Sequence, residues 1–375
     1  MKVLIVGGGI AGCTCAAFLQ MNGVAEITLI EKAPRFSTIG YLIGFWGAGR
    51  NIMKKLGVEH VLDEKGFEYS EDIVRDQHGR LMKIIKPDAL KHHGPAVVIK
   101  REDLHRALYE LLGGVDVRFG TRVMNIMRQA DSVIVVMSDG REERYDLVIG
   151  ADGIRSSIRE LVFGPGFVKS YGWGAWMWWM PQNYRAPKNP TGYYGLGKIC
   201  GIAPFYGVSA SLAVATVPPE TGRDPASRRE KLLDLFAEFT PEARAIIESA
   251  PAGSELYYDD ISEVEMHEWY RGRVVLIGDA QHAVSPVTGM GASIAMEDAF
   301  VLAEELGRTQ SIEDALARFA ARREPRVRHF RRLVDHADGW VMTGGVLGYL
   351  RNALLPYVPE WYFTNMVDRF LRQKI

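Results

Sequence analysis

Three groups of glycines and carboxylates, each set just after a short apolar run, are the residues of this chain best suited to chemistry. They are Gly7-x-Gly9-x-x-Gly12, Ala151-Asp152-Gly153, and Gly278-Asp279 followed by Gly289-x-Gly291. In the first, "KVLIV" leads into the glycines, "CTCAAFLQMNG" continues as a helix that Gly23 is placed to end, and "EITLIEK" brings a second strand to Glu31. Gly7 permits a tight turn, Gly9 lets backbone approach a pyrophosphate, and Gly12 lets the helix close on the strand. The helix start offers unpaired N–H groups to phosphates, and Glu31 can accept both hydroxyls of a ribose. A strand–turn–helix–strand unit of this kind predicts a dinucleotide site and leaves FAD and NAD both open.

The elements behind the other two groups repeat the arrangement. "DLVIG" is a strand that ends at Ala151-Asp152-Gly153, after a meander whose "SDGR" is a hairpin turn. The strand in "GRVVLIGD" ends at Asp279, a Pro-containing loop follows, and Gly289 and Gly291 open a long helix. A carboxylate at the carboxyl end of a strand is where a doubly wound sheet presents ligand groups. Bare N–H groups at Gly289 and Gly291 suit a flavin carbonyl or an N1 that becomes negative on reduction. Taken singly, Asp152 reads as a turn residue and Asp279 as a helix cap. In this order, each behind a strand, they read as one sheet.

Composition bounds the rest. The chain has 375 residues, 47% of them hydrophobic, enough for about two domains and a sizeable core. Forty-five basic and 46 acidic residues leave no field to recruit nucleic acid. Cys13, Cys15 and Cys200 have no metal-ligand spacing, so no metal is expected and a reducing, cytoplasmic setting fits. The start of the chain carries no signal-peptide pattern, and no run is apolar enough to span a bilayer. The tail from Val346 is aromatic and amphipathic; packing on its own domain is expected, with peripheral membrane contact as the alternative. The seven arginines from Arg318 to Arg332 are expected on a solvated helix face.

The segment between Arg155 and Trp269 is rich in aromatics and short strands, with one charged helix expected over about 224–250. It reads as a separate α+β lid with a sheet. "WGAWMWWMP", at 173–181, holds four of the eight tryptophans. Alternation puts Trp176 and Trp178 on one side of a strand and Met177 and Trp179 on the other.

The quoted motifs, with "REDL" from Arg101, "ADGIRSSIR" from Ala151, "GDAQHAVSPVTGMG" from Gly278 and "EDA" from Glu297, resemble the FAD-dependent monooxygenases of the para-hydroxybenzoate hydroxylase type. Within them the chain resembles the branch with tetracycline-inactivating monooxygenases, urate hydroxylase and zeaxanthin epoxidase. The resemblance implies an α/β fold: a Rossmann-like FAD-binding domain over 1–70, 99–165 and 270–310, an inserted α+β substrate domain over 71–98 and 166–269, and C-terminal helices over 311–375. It implies that Gly7, Gly9, Ala11, Gly12, Glu31, Lys32 and Val123 hold the adenosine half. Arg101 would reach the pyrophosphate–ribityl region, Asp152 would lie along FAD and the incoming nicotinamide, and Asp279 would bind a ribityl hydroxyl. Pro286, Gly289, Gly291 and Ala292 would border the isoalloxazine. Gln281 stands where the family usually has Ala, and Met290 where Gln is commoner.

The implied activity is hydroxylation, or epoxidation, of a hydrophobic small molecule through a flavin C4a-hydroperoxide, with NADPH or NADH as electron donor and O₂ as co-substrate. With no second Gly-x-Gly-x-x-Gly, the nicotinamide would bind transiently. Trp176, Trp178, Tyr194 and Arg50 are assigned to the substrate pocket. Tyr193, Tyr194, His267 and Arg50 are the polar candidates near the substrate, each with packing or surface as the plainer reading. Trp176-x-Trp178-x-Met180-Pro181 is also one residue from the signature of flavin-dependent halogenases. A halogenase or flavin reductase needing a partner reductase is therefore one alternative, and a flavoprotein that binds without turnover is another.

Overall fold

The computed structural model describes residues 1–24, 26–35, 42–45, 47–86 and 92–373. Its first sheet has six strands in the order Tyr270–Arg271, Val274–Leu276, Leu147–Gly150, Lys2–Val6, Glu26–Glu31 and Asp116–Phe119. All neighbours are parallel except the first pair, which is antiparallel. The strands are nearly continuous apolar runs because both faces are covered. Val3, Ile5, Leu29, Ile149 and Val275 pack toward the helices Ile10–Met21, Arg101–Glu110 and Gly291–Arg308. Leu4, Val6, Ile30, Val148 and Leu276 pack on the other side against the meander Val123–Arg128, Val133–Met137 and Glu142–Tyr145.

A second sheet has seven strands in the order Tyr257–Val264, Val168–Trp179, Val208–Thr216, Lys198–Phe205, Thr191–Tyr194, Asp72–Asp76 and Leu81–Ile85. A small sheet of Leu42–Phe45, Val97–Lys100 and Phe67–Glu68 lies between them in sequence. The stretch 66–98 is thus split: its middle joins the large sheet, and its ends stay with the small one.

The charged helix expected over 224–250 is two helices, Arg228–Leu235 and Pro241–Glu248. Pro241 has no N–H to continue the first, and it starts the second, where the Thr240 hydroxyl accepts from the Ala243 N–H. Their apolar faces meet Trp176 and Trp178, which are fully buried with Leu232, Phe236, Ile246 and Ile247. The Trp178 indole donates to Ser249 Oγ at 3.1 Å.

The arginine-rich segment lies on the helix Ile312–Val341 and departs from the expected solvated face. Arg318, Arg328 and Arg332 are exposed, whereas Arg323 and Arg326 are buried. They point inward because two buried carboxylates, Glu297 and Asp298 of the helix Gly291–Arg308, face them. Arg326 also donates to the Phe370 carbonyl, tying in the helix Glu360–Leu371.

Candidate active site

Two cavities in series run along the carboxyl ends of the first sheet. One is bordered by Gly7, Glu31, Lys32, Val123, Asp152 and Ser157. The other is bordered by Ala11, Asp279, Pro286, Gly289, Gly291 and Ala292. Gly9, Arg101, Ala151 and Gly153 line both, so the cavities meet at the first helix start beneath a guanidinium. A ligand with two ring systems joined by a pyrophosphate fits this plan, with the phosphates at Gly9 and Arg101. A Cβ at Gly9 or Gly291 would meet no protein atom within 4 Å. At both positions the backbone is bare toward the cleft.

Gly12 lies outside the lining and acts by packing. A Cβ there would sit 1.9 Å from the Gly7 carbonyl oxygen, so only glycine allows the helix this close to the turn. The turn is clamped at Gly8. Its N–H donates to Glu31 Oε2 at 2.9 Å, and its carbonyl accepts from Cys13 Sγ at 3.3 Å and pairs with His105 Nε2. Glu31 Oε1 accepts from the Ala33 N–H at 2.9 Å. Each Glu31 oxygen therefore keeps a lone pair for a ribose hydroxyl. Cys13, Cys15 and Cys200 are buried free thiols; burial pushes Cys13 up to about 12 and raises the other two as well.

Asp152 spends its carboxylate on its own loop. It accepts from the Ser157 and Ile158 N–H groups at 2.7 and 3.2 Å and from the Ser156 hydroxyl at 2.5 Å. This holds the helix Ser157–Phe163 against the strand end and makes Asp152 a positioning residue for the cleft wall. Arg159, one turn on, is buried and donates to the carbonyls of Ile154 and Ala280 at 2.6 and 2.8 Å. It joins the Asp152 loop to the Asp279 loop. The motif "ADGIRSSIR" contained it, and a buried arginine with two carbonyl partners leaves no other signal in sequence.

Asp279 is open to the cleft yet deep within the protein. Desolvation raises its pKa, while His282 and Arg101 pull it back. Behind it, Asp298 accepts from the Gly278 N–H at 2.8 Å and Arg323 Nε at 2.7 Å, and pairs with His282 Nε2 at 2.6 Å. Burial alone would raise Asp298; these cationic and N–H partners outweigh it and hold it below the usual carboxylate range. This network sets the Gly278-Asp279 turn from beneath.

The loop at Pro286 rests on a second buried acid. Ser285 Oγ accepts from the Val287 N–H at 3.4 Å and donates to Asp338 Oδ1 at 2.6 Å. Asp338 Oδ2 has no partner among the described residues, and burial pushes the carboxyl up to about 6. An unfolded aspartate titrates near ~3.9. Below that pH both states are protonated; between the unfolded and the folded value the unfolded chain ionises while the native carboxyl does not, so the native state carries a growing cost that is complete above the folded value. Asp338→Asn keeps an acceptor for Ser285 and removes this cost. It is expected to stabilise the fold by about 1–3 kcal/mol at neutral pH and by little near pH 4. Urea unfolding at the two pH values checks this, and an equal effect at both would refute the assignment.

The residues assigned to the substrate pocket are not brought together. Trp176 and Trp178 face the helices Arg228–Leu235 and Pro241–Glu248, away from the cleft. The other face of that strand holds half-buried Met177 and Trp179, with Leu212 paired to Met177 and the Lys100 ammonium 5.3 Å from the Trp179 ring centre. Because Lys100 precedes Arg101, this is the face turned toward the cleft domain. The indoles on which the halogenase reading stood are therefore core. Arg50 pairs with Glu59 at 2.8 Å and with Asp63, fastening two helices. Tyr193 belongs to the same core as Trp176, and His267 is exposed. Tyr194 packs with Val74, Met82 and Leu355, with Arg351 5.6 Å from its ring centre. Sequence reasoning missed Asp72 on a neighbouring strand, whose carboxyl burial pushes up to about 7 and which acts electrostatically on Tyr69 and Tyr194. Perturbed groups of this kind gather at functional sites.

The chain matches the family model described as FAD binding domain over residues 1–334. It is 31% identical to the 2-heptyl-3-hydroxy-4(1H)-quinolone synthase of Pseudomonas aeruginosa, covering 100% of this chain and 97% of that one. It is 30% identical to the aurachin C monooxygenase/isomerase of Stigmatella aurantiaca, covering 88% and 87%. The Klebsiella pneumoniae HpxO structure complexed with FAD and uric acid superimposes with a TM-score of 0.89 at 26% identity, covering 99% and 97%.

Proposed function

Since the chain belongs to the FAD-binding domain family, as a flavin-dependent monooxygenase of the aromatic hydroxylase type, we propose that it takes electrons from NADPH or NADH and hydroxylates a hydrophobic bicyclic heteroaromatic compound. The observation that carries this reading is the pair of cavities meeting at Gly9 and Arg101. The name of the 2-heptyl-3-hydroxy-4(1H)-quinolone synthase, a relative that covers the whole chain, points to a quinolone ring bearing an alkyl chain, and the half-buried Met177, Leu212 and Trp179 are of matching character.

Bound FAD supplies electron acceptance and the transfer of one oxygen atom from O₂. The protein's share is to hold it. The Gly9 N–H and Arg101 would hold the pyrophosphate, Glu31 the ribose, and Asp279 the ribityl chain. Gly291 would offer its backbone N–H to the ring edge that gains negative charge, whereas the N–H of Gly289, which the sequence also suggests, is taken by the Pro286 carbonyl at 2.9 Å.

Anaerobic mixing of the holoenzyme with NADPH or NADH tests this reading. A 2-alkyl-4-quinolone is expected to accelerate bleaching of the flavin's visible absorbance about tenfold or more, by the ligand's effect on positioning. On aeration with ¹⁸O₂, one labelled atom is expected in the product. Failure of both nicotinamides to bleach the flavin, with any aromatic compound present, would overturn it.

A further inference from the structure

His92 and His93 aim both imidazoles at one carboxylate far along the chain. Nε2 of His92 lies 2.7 Å from Asp368 Oδ1, and Nε2 of His93 lies 2.8 Å from the same oxygen. The three ligand atoms fall within 4.8 Å of one another, the one such group of His, Cys, Asp or Glu side chains among the described residues. The other oxygen, Oδ2, accepts from Arg372 Nε at 2.6 Å. As hydrogen bonds alone, these contacts crowd two N–H groups onto Oδ1. Arg372 Nη2 also stands 3.4 Å from His92 Nε2, and that nitrogen cannot donate to Asp368 and accept from Arg372 at once. Two imidazole nitrogens converging on a carboxylate oxygen, with the second oxygen hydrogen-bonded from outside, match a set of metal ligands and its outer shell.

Both backbones that carry the ligands are anchored. His93 is seated on the helix Gly47–Lys55: a Cβ at Gly47 would lie 2.0 Å from the His93 carbonyl oxygen, so only glycine admits it. Asp368 comes two residues before Phe370, whose buried ring centre lies 3.9 Å from the Arg326 guanidinium and whose carbonyl accepts from Arg326. The ligand atoms are therefore preorganised by packing that owes nothing to an ion. They are also reachable. The His92 side chain is 46% exposed, against 16% for His93 and 20% for Asp368. His93 and Arg372 border a groove open to solvent, so an ion can enter and water can complete its coordination.

We infer that His92, His93 and Asp368 bind one divalent transition ion of the zinc type, with water as the fourth ligand. Imidazole nitrogens beside a carboxylate suit Zn²⁺, whereas Ca²⁺ and Mg²⁺ call for oxygens. Ligands on a tetrahedral zinc stand ~3.4 Å apart, so each imidazole has only to draw back from Oδ1 by about 0.7 Å. The ion would clasp the helix Glu360–Leu371 to the segment that leads through Val97–Lys100 to Arg101, at the junction of the two cavities. The cysteines have no metal-ligand spacing, and these histidines acquire theirs only when a helix 275 residues beyond His93 lies beside them. The site does not depend on the function proposed above.

The test is equilibrium dialysis of the untagged holoenzyme, stripped with EDTA and desalted, against Zn²⁺, with the bound metal counted by atomic emission, beside thermal melting. The wild type is expected to take up one Zn²⁺ per chain at micromolar concentration or below. Saturation is expected to raise its melting temperature by about 2–4 °C. His92→Ala and Asp368→Asn are each expected to keep the flavin, to weaken Zn²⁺ binding by about tenfold or more and to shrink the thermal shift. His92 is the most exposed of the three ligands, so His92→Ala tests the site without disturbing the core. No stoichiometric Zn²⁺ on the wild type overturns the inference and leaves a clasp made of hydrogen bonds. Equal binding by the wild type and both variants also overturns it, because the zinc would then be held adventitiously elsewhere. Dialysis reads out without turnover, so an inactive chain that binds Zn²⁺ through these residues keeps the site and loses only the proposed function.

Discussion

A Gly9→Val chain is expected to fold normally and to purify without flavin. Gly9 is extended, with φ −78° and ψ −170°, a conformation valine accepts, and its Cβ would meet no protein atom within 4 Å. The side chain would instead fill the junction of the two cavities, where the pyrophosphate needs bare backbone. FAD affinity should fall about a hundredfold or more, ~2.7 kcal/mol, while the thermal transition of the flavin-free protein stays where it was. Gly12→Ala makes the useful contrast. Its Cβ meets the Gly7 carbonyl oxygen at 1.9 Å, a backbone atom that cannot swing aside. That variant should lose flavin and also about 1–3 kcal/mol or more of fold stability. Absorbance of the purified proteins and melting of their flavin-free forms separate the two. A Gly9→Val protein that retains its yellow cofactor would show that the phosphates lie elsewhere.

Arg323→Met should be the costliest single change away from the cleft. Arg323 is fully buried and pairs with Asp298 and Glu297 at 2.7 Å each. Removing it strands Asp298 beside His282 and leaves Glu297 to Arg326 alone. Breaking one partner out of a buried pair costs about 3–5 kcal/mol, because the remaining charge stays desolvated. Asp298 also holds the Gly278 N–H, so flavin affinity should fall together with stability. Arg328→Met is the control: Arg328 pairs with Glu324 on the exposed side of the same helix and should cost no more than about 1 kcal/mol. Urea unfolding of the two variants measures the difference, and similar midpoints would refute the role given to the network.

The lining of the cleft was legible in the sequence because much of it is backbone. Gly9, Gly289 and Gly291 border the cavities, and Glu31 and Asp279 sit where strands end, so type and local spacing carry the meaning. The half-buried face of the large sheet was not legible in that way. Alternation correctly put Trp176 with Trp178 and Met177 with Trp179. Which pair faces the cleft depends on two helices more than forty residues further on, split by a proline within a stretch that reads as one helix. The arginine-rich helix failed for a related reason. Glu297 and Asp298 are visible as a motif, but nothing near Arg323 and Arg326 says that they turn toward it, since the pairing exists only once the helices cross. Asp72 was silent because its environment, not its type, makes it unusual.

The ion network ties the cofactor turn to the helical layer. Gly278 is set by Asp298, Asp298 by Arg323, and Glu297 by Arg323 and Arg326, whose guanidinium also donates to the Phe370 carbonyl. The turn that carries Asp279 and the helix Glu360–Leu371 are thereby joined through a handful of side chains, so a disturbance at one end of this relay is expected to be felt at the other.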